Sequence, residues 1–173
     1  MATGKAMFYP PLIITLQLQA ADQLYFNELR NRYFPAHANY LDAHITLFHK
    51  LPSNEPLIPQ VLQQVAQRTA IALQVSGVSN MGTGVAYALV SAETQALHQQ
   101  LQQAFEPWLV RQDRQRIWPH ITIQNKVTAF KAQQLHTTLQ ETFQPFMIQA
   151  TGIATWKYLK GPWRPSNFYP FTG

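Results

Sequence analysis

One heptapeptide with chemically useful side chains occurs twice, as HITLFHK at residues 44–50 and as HITIQNK at residues 120–126. Histidine, isoleucine, threonine and lysine recur at the same offsets, and the fourth residue is aliphatic in both copies. Because side chains alternate between the two faces of a β-strand, each copy predicts a half-buried strand with one polar face. The predicted polar faces carry His44, Thr46, Phe48 and Lys50 in the first copy and His120, Thr122, Gln124 and Lys126 in the second.

The bare His-x-Thr pattern is weak by itself, because a third instance begins at His136 within a segment of helical periodicity. A single copy could equally be a β-branched strand whose polar residues face water. The two heptapeptides differ from the third instance in their apolar alternation, in the lysine six residues after the histidine and in their setting. Together they favour one shared site over two unrelated strands.

Two imidazoles that face one pocket could act as a general acid and a general base, because their ordinary pKa of about 6.5 allows either protonation state near neutral pH. The threonine beside each histidine adds a hydroxyl donor, and two converging hydroxyls suit a tetrahedral anion such as phosphate. Lys50 and Lys126 could add positive potential, although a solvated lysine at a strand end explains them as well. The pattern therefore indicates acid-base chemistry on a phosphate.

Two other kinds of chemistry fit these residues less well. A catalytic zinc ion generally needs three protein ligands, whereas neither copy has a second histidine on its polar face and the chain has no cysteine. Asp42 shares the face of His44 by alternation, but Trp118 occupies the equivalent place before His120. A threonine nucleophile is disfavoured because its side chain projects parallel to that of its histidine. We therefore expect neither a metal nor another cofactor.

The composition is that of a globular chain with a modest basic excess. Its 173 residues suffice for one ordinary domain, and its net charge of +5 is compatible with an anionic partner. The absence of cysteine fits a reducing compartment. The N-terminus, with Lys5 as its one early charge and an interruption at Pro10-Pro11, does not resemble a secretory signal. Because no apolar run approaches the roughly 18 to 20 residues of a membrane span, we expect a soluble, cytoplasmic protein.

The periodicity of the first half predicts the order strand, helix, strand, helix, strand. The predicted elements are a strand over 12–19, a helix over 22–34, the first motif strand over 44–50, a helix over 59–69 and a strand over 71–77. Asp22 is suited to cap the first helix, and Pro59 to the first turn of the second.

The second half repeats this order after a flexible turn, Gly82-Thr83-Gly84. It predicts a strand over 85–90, a helix after Ser91, the second motif strand, a helix from Thr128 to about 143 and a strand over 146–159. The tail, 161–173, is rich in proline and aromatic residues and has no periodicity. Ser91 and Thr128 are both suited to cap their helices.

The repeated order predicts an internal duplication within one bilobal α+β domain over residues 1–173, with repeats at about 10–80 and 84–160. Alternation with a polar face favours two mainly antiparallel sheets, each with helices on its outer face, and a central cleft. If the halves pack about a pseudo-twofold axis, the two motif strands meet across this cleft. Both His-x-Thr faces would then line it.

The paired motifs, together with Trp118-Pro119 before the second copy and Gly161-Pro162-Trp163 after the last strand, resemble the two-histidine (2H) phosphoesterase superfamily. The chain is most similar to the bacterial 2′-5′ RNA ligase and cyclic phosphodiesterase-like branch. This resemblance implies metal-independent hydrolysis of a 2′,3′-cyclic phosphate to a 2′-phosphate, and it also implies 2′-5′ ligation as a second activity. It assigns protonation of the leaving oxygen to His44, activation of water to His120, and the phosphate contacts to Thr46 and Thr122.

The implied partner is RNA or a nucleotide with a cyclic phosphate, bound by a monomer without a membrane or a metal. Four aromatic residues could stack on a nucleobase, although packing in the core explains them equally well: Phe48, Trp118, Trp156 and Tyr158. Arg114, Arg116 and Arg164 could touch RNA phosphates or could simply be solvated, and His37, His49 and His98 are expected to be structural or exposed. The alternative function is a non-catalytic nucleotide- or RNA-binding module that uses the same cleft.

Overall fold

The computed structural model describes residues 7–173, so Lys5 and the other residues of the extreme N-terminus lie outside the described part. In chain order its elements are β1 (Leu12–Leu18), α1 (Ala20–Tyr33), β2 (Ile45–Leu51), α2 (Leu57–Val65), β3 (Ile71–Asn80), β4 (Val85–Val90), α3 (Ala92–Phe105), β5 (His120–Gln124), α4 (Ala129–Thr142), β6 (Phe146–Tyr158) and β7 (Trp163–Pro170). Short 3-10 turns lie at Ala36–Ala38, Glu106–Trp108 and Gln112–Arg114. Within residues 7–173, no helix combines the length and the apolar character that a bilayer crossing requires.

The seven strands form one antiparallel sheet in the order β2-β1-β6-β3-β4-β5, with β7 paired to β6. This confirms the α+β class and the antiparallel pairing, but it corrects the expectation of two separate sheets. The two halves share one sheet because β6 is 13 residues long and therefore borders strands of both halves. Its first part pairs with β3 and its second part pairs with β1, so hydrogen bonds join all the strands.

The strand order is symmetric with respect to the two halves of the chain. Exchanging β1 with β4, β2 with β5 and β3 with β6 gives the same order read backwards. The third strand of each half pairs with the first strand of the other half, because β6 pairs with β1 and β3 pairs with β4. β3 and β6 pair with each other at the centre, around Leu73 and Ile148. The motif strands β2 and β5 are consequently the two ends of the sheet.

Helices α1 and α3 each cover the motif strand of the other half. Phe26 of α1 is fully buried and packs edge-on against Tyr87. Arg30, one turn later, donates from Nη1 to the carbonyl oxygen of Thr122 in β5 at 2.8 Å. On the opposite side, Nε2 of His98 in α3 lies 3.0 Å from the carbonyl oxygen of a β2 residue, Leu47. The two halves are thus held together through the strands that carry the motif.

Two of the three predicted helix caps are confirmed. The hydroxyl of Ser91 accepts the backbone N–H of Thr94 at 3.1 Å, and the hydroxyl of Thr128 accepts that of Lys131 at 3.2 Å. Asp22 is not a cap, because α1 begins two residues earlier, at Ala20. Its carboxylate instead accepts the backbone N–H of a β6 residue at 2.9 Å and so ties α1 to the sheet.

The tail, predicted to be irregular, contains the edge strand β7. It pairs antiparallel with β6, from Trp163 opposite Tyr158 to Pro170 opposite Gly152. Most of its residues are exposed, so no alternation marks it in the sequence. Prolines are tolerated because β7 is an edge strand, where a missing N–H need not break a ladder.

Gly84 is buried where the turn between β3 and β4 meets the end of β5, and a Cβ there would overlap the carbonyl group of Gln124. Gly84→Ala should lower the free energy of unfolding by about 1–3 kcal/mol, because β4 and β5 must separate to admit the methyl group. Urea denaturation measures this change. Gly77→Ala is the control, since nothing lies within 4 Å of a Cβ added there. Equal effects of the two substitutions would contradict the packing described.

Candidate active site

The two motif histidines occupy corresponding places, His44 immediately before β2 and His120 as the first residue of β5. Although β2 and β5 are the two ends of the strand order, they contact each other, because the sheet curls. His120 is near enough that its charge lowers the pKa of His44. Thr46 and Thr122, two residues further along each strand, are both half-buried. The curl thus brings the two copies of the motif to one junction.

Each imidazole is anchored through the same ring nitrogen. Nδ1 of His44 lies 2.7 Å from the carbonyl oxygen of Asp42, and Nδ1 of His120 lies 2.8 Å from that of Trp118. A carbonyl oxygen can only accept, so Nδ1 carries the hydrogen in both rings. Nε2 of each ring is therefore the nitrogen that can take up or release a proton.

Both rings are held in the neutral form in the free protein. Burial lowers the pKa of His44 to about 4, against the effect of its backbone hydrogen bond, and the charges of Arg30, His120 and His49 add to the lowering. Burial likewise lowers the pKa of His120, again against its backbone hydrogen bond and with a contribution from the charge of His49. An anion bound between the rings would raise both pKa values, because its charge stabilises the imidazolium form.

A cavity of about 180 Å³ lies beside His44 and has aromatic walls. The ring centroid of Trp163 is 4.8 Å from that of His44, and the ring centroid of Trp156 is 6.3 Å from that of Trp163. Nε1 of Trp156 donates to the hydroxyl of Thr15 at 3.0 Å, which fixes the indole in place. Polar side chains complete the lining, namely Gln17, Gln23, Tyr40 and Asp42. The cavity can therefore stack an aromatic ligand and offer hydrogen bonds to its edges.

Trp118 stacks on His120, with ring centroids 4.3 Å apart and an interplanar angle of 22°. The surroundings of His44 differ, because the tryptophan that contacts it, Trp163, comes from the tail of the chain. Trp118 is still 48% exposed and borders a groove that Gln95 and Arg116 also line. It can hold the imidazole on one face and present aromatic surface to a ligand on the other.

Phe48 and Gln124 do not lie on the polar faces where alternation places them. Phe48 is fully buried and stacks on His98 with ring centroids 4.8 Å apart, and Gln124 is only 6% exposed. The pairing of β1 with β2 is irregular at Phe48, and that of β4 with β5 is irregular at Gln124. A bulge changes the face that subsequent side chains take. The prediction that Phe48 stacks on a substrate is therefore wrong.

The two motif lysines are both exposed but differ in setting. Lys50 is fixed through its backbone N–H, which donates to Asp113 at 3.0 Å. Lys126 has a φ of 59°, in the left-handed region, and its Nζ lies 6.0 Å from the ring centroid of Tyr40 at the cavity beside His44. Tyr158 is exposed at the end of β6 and is not part of the cavity lining. Substrate contacts by these three residues stay predictions.

Three residues that shape the site are missed by the sequence analysis. Arg30 is 3% exposed and binds the backbone of a motif strand, yet in sequence it is one more polar residue of an amphipathic helix. Asp113 is 2% exposed and lies in a loop that reads as basic and solvated. Trp163 stands out in the sequence only as part of the Gly161-Pro162-Trp163 run, although its ring contacts that of His44. Of the loop arginines, Arg114 forms an ion pair with Glu106.

Within residues 7–173, no three histidine, cysteine, aspartate or glutamate side chains are grouped so as to hold a metal ion. Independence from metals stays a prediction, for which a chelator provides the test.

A model of the 2′-5′ RNA ligase superfamily matches residues 17–162, which is most of the chain. Comparison with curated protein sequences gives no match. Solved structures with the same fold include TT0787 of Thermus thermophilus, with a TM-score of 0.65 and 14% identity over 94% of this chain and 98% of that one. Another is Escherichia coli LigT in complex with NADP+, with a TM-score of 0.59 and 16% identity over 96% and 100%.

Kluyveromyces marxianus Usb1 is a more distant neighbour, with a TM-score of 0.51 and 11% identity over 91% of this chain and 99% of that one. At such identities these structures establish the fold alone. LigT has also been crystallised with 3′-AMP and with phosphate. The chain covers nearly the whole length of each of these neighbours.

The pKa of His44 should be about 4 in the free protein and should rise by about 1 or more in saturating inorganic phosphate. Nitrogen-15 NMR titration measures both values and also reports the tautomer, which should be Nδ1–H for His44 and His120 at high pH. Resonances of His37, exposed in the 3-10 turn at Ala36–Ala38, should not respond to phosphate. An Nε2–H tautomer at either motif histidine would contradict the anchoring described above.

Proposed function

The chain belongs to the 2′-5′ RNA ligase superfamily, a family of phosphoesterases and ligases, and from this membership we propose that it opens 2′,3′-cyclic phosphates on RNA ends or small nucleotides. The observation that carries the proposal is the pair of imidazoles at the junction of β2 and β5, each anchored through Nδ1. A threonine accompanies each ring two residues further on. The reaction needs neither a metal nor a cofactor, and 2′-5′ ligation would be the same ring opening with a ribose 5′ hydroxyl in place of water.

In the proposed reaction the cyclic phosphate lies between the two strands and accepts hydrogen bonds from the hydroxyls of Thr46 and Thr122. Nε2 of His120 takes a proton from a water molecule, whose oxygen attacks phosphorus. The bond from phosphorus to the ribose 3′ oxygen breaks, and Nε2–H of His44 donates its proton to that oxygen. The product is a 2′-phosphate with a free 3′ hydroxyl, and the two histidines have exchanged protonation states.

The acid role of His44 depends on the substrate itself. Desolvation disfavours its imidazolium in the free protein, as the lowered pKa indicates. A phosphate monoanion at the junction would offset that desolvation and the repulsion from Arg30. His44 would therefore be protonated mainly in the complex, where the proton is used. Hydrogen bonds to the equatorial oxygens strengthen as charge develops there and so lower the barrier.

The cavity beside His44 is the proposed place for the nucleoside. Trp156 and Trp163 would stack on the base, while Gln17 and Asp42 offer a donor and an acceptor to its edges. A base held there keeps the attached ribose phosphate next to His44, because His44 itself lines the cavity. This placement converts stacking energy into orientation of the reacting phosphate.

Turnover is tested with an oligoribonucleotide that ends in a 2′,3′-cyclic phosphate, in excess chelator. The wild type should form a terminal 2′-phosphate, and His44→Ala and His120→Ala should each lower kcat by a factor of at least about 100, because each removes a proton-transfer group. His37→Ala is the matched control and should keep full activity. Tight binding of the oligonucleotide without turnover by the wild type would instead support the binding-module alternative, and loss of turnover in chelator would contradict metal independence.

The value of kcat/KM should vary with pH in the acidic range, because activity needs one protonated and one neutral imidazole. The pKa of His44 is about 4, and that of His120 is lowered from 6.5. As the pH rises through these values the proton is lost, so kcat/KM should fall about tenfold per pH unit above the upper one. Below the lower of these two pKa values both rings are protonated and no neutral base remains, so kcat/KM should fall there as well. A value that stays flat between about pH 5 and 9 would exclude this division of roles.

A further inference from the structure

The groove that Trp118 borders, the Trp118 groove, takes no part in the proposed hydrolysis. It lies where the end of β4, the start of α3 and the loop before β5 meet, and its volume is about 540 Å³. One face of the Trp118 indole stacks on His120, yet 48% of the residue is exposed. Val90 and Arg116 are also exposed at this groove. An aromatic surface therefore lies directly behind the ring to which the proposed reaction assigns activation of water.

Within the symmetric strand order, the Trp118 groove corresponds to the cavity beside His44. Each is lined by the strand that pairs with a motif strand, by the first turn of the following helix and by the loop before the motif histidine. The fourth residue of each helix is a glutamine, Gln23 in α1 and Gln95 in α3. Each donates from Nε2 to a backbone carbonyl of that loop, at 2.7 Å and 3.0 Å respectively. Each imidazole thus has a comparable recess beside it.

The Trp118 groove differs from its counterpart in being open and positively charged. Trp163 of β7 closes the cavity beside His44, whereas no residue of β6 or β7 lines the groove. No aspartate or glutamate lines it either, and within residues 7–173 no carboxylate pairs with Arg116. The groove can therefore stack a base whose strand continues into solvent, and its charge suits an RNA backbone.

The position of the groove matches the direction of attack in the proposed reaction. The leaving oxygen departs toward His44, and the nucleophile approaches from His120, roughly in line. A water molecule needs no groove, whereas a ribose 5′ hydroxyl must be held in place through its base. A base stacked on the free face of Trp118 would be separated from the imidazole by one indole, so the attached ribose can reach around the indole edge toward Nε2.

We propose that the Trp118 groove binds the 5′-terminal nucleoside of a second RNA strand, whose 5′ hydroxyl takes the place of water. The inference rests on the proposed function, because it takes the cyclic phosphate to lie between the two imidazoles. Nε2 of His120 takes the proton of the 5′ hydroxyl, whose oxygen attacks phosphorus. The bond from phosphorus to the 3′ oxygen breaks, and Nε2–H of His44 protonates that oxygen. The product is a 2′-5′ phosphodiester with a free 3′ hydroxyl, and the step needs no further co-reactant.

The test uses a donor oligoribonucleotide that ends in a 2′,3′-cyclic phosphate and an acceptor oligoribonucleotide with a 5′ hydroxyl. The same acceptor with a 5′ phosphate is the matched control and should give no ligation. The ligation rate of the wild type should saturate with acceptor concentration, as expected for a binding site, and hydrolysis of the donor should fall as the acceptor displaces water.

Two tryptophan variants distinguish the two recesses. Trp118→Ala should raise the KM for the acceptor by about tenfold or more, because stacking is lost, and should change the KM for the donor by less than about twofold. Trp118→Phe should keep the wild-type KM for the acceptor. Trp163→Ala should show the opposite pattern, with a raised KM for the donor alone. A KM does not depend on the fraction of folded protein, so a general loss of stability would not produce these patterns.

The proposal is overturned if the wild type hydrolyses the donor without ligation, if ligation rises linearly with the acceptor, or if Trp118→Ala raises both KM values alike. Failure of the proposed function itself is recognised by calorimetric titration of the 5′-hydroxyl acceptor into an inactive wild type. Binding that Trp118→Ala weakens and Trp118→Phe keeps would then contradict the proposed function alone. No binding, or equal binding by Trp118→Ala, would overturn the acceptor site as well.

Discussion

The site depends on contact between the two end strands of a single curled sheet. End strands expose backbone groups that have no ladder partner, and in most sheets such edges must be covered. Here the coverage comes from side chains of the other half of the chain: Arg30 binds the carbonyl of Thr122, His98 binds that of Leu47, and Asp113 binds two N–H groups of β2. Because these bonds cross between the halves, the same interactions close the fold and hold the motif strands together.

The groups at the junction favour an anionic ligand. Arg30 is buried, and burial lowers its pKa while the nearby charge of Asp42 raises it. The two motif imidazoles are kept neutral by desolvation and by neighbouring positive groups. Such a site gains little from protonation until a negative ligand arrives, and it then gains at both rings together. In the proposed reaction, binding of the phosphate would therefore also protonate His44.

The symmetric strand order supplies a frame that the surrounding residues make asymmetric. Both imidazoles use Nδ1 to bind the carbonyl two residues earlier, so each presents Nε2. The aromatic surroundings differ, because Trp163 from β7 meets His44 whereas Trp118 from the adjoining loop stacks on His120. Residue 49 is a histidine backed by Asp113, and its equivalent is the engaged amide of Asn125. Equal rings in unequal surroundings can take different roles in one reaction.

Local pattern alone determined the seven-residue repeat, the strands and helices around it, the caps at Ser91 and Thr128 and the α+β class, because alternation, helical periodicity and capping depend on neighbouring residues. The tertiary structure decided the rest. Phe48 turns inward because β1 and β2 pair irregularly, Trp163 reaches His44 because β7 pairs with β6, and Arg30 is buried because α1 crosses to the other half. Each of these outcomes depends on pairing between distant segments, for which a single sequence contains no local signal.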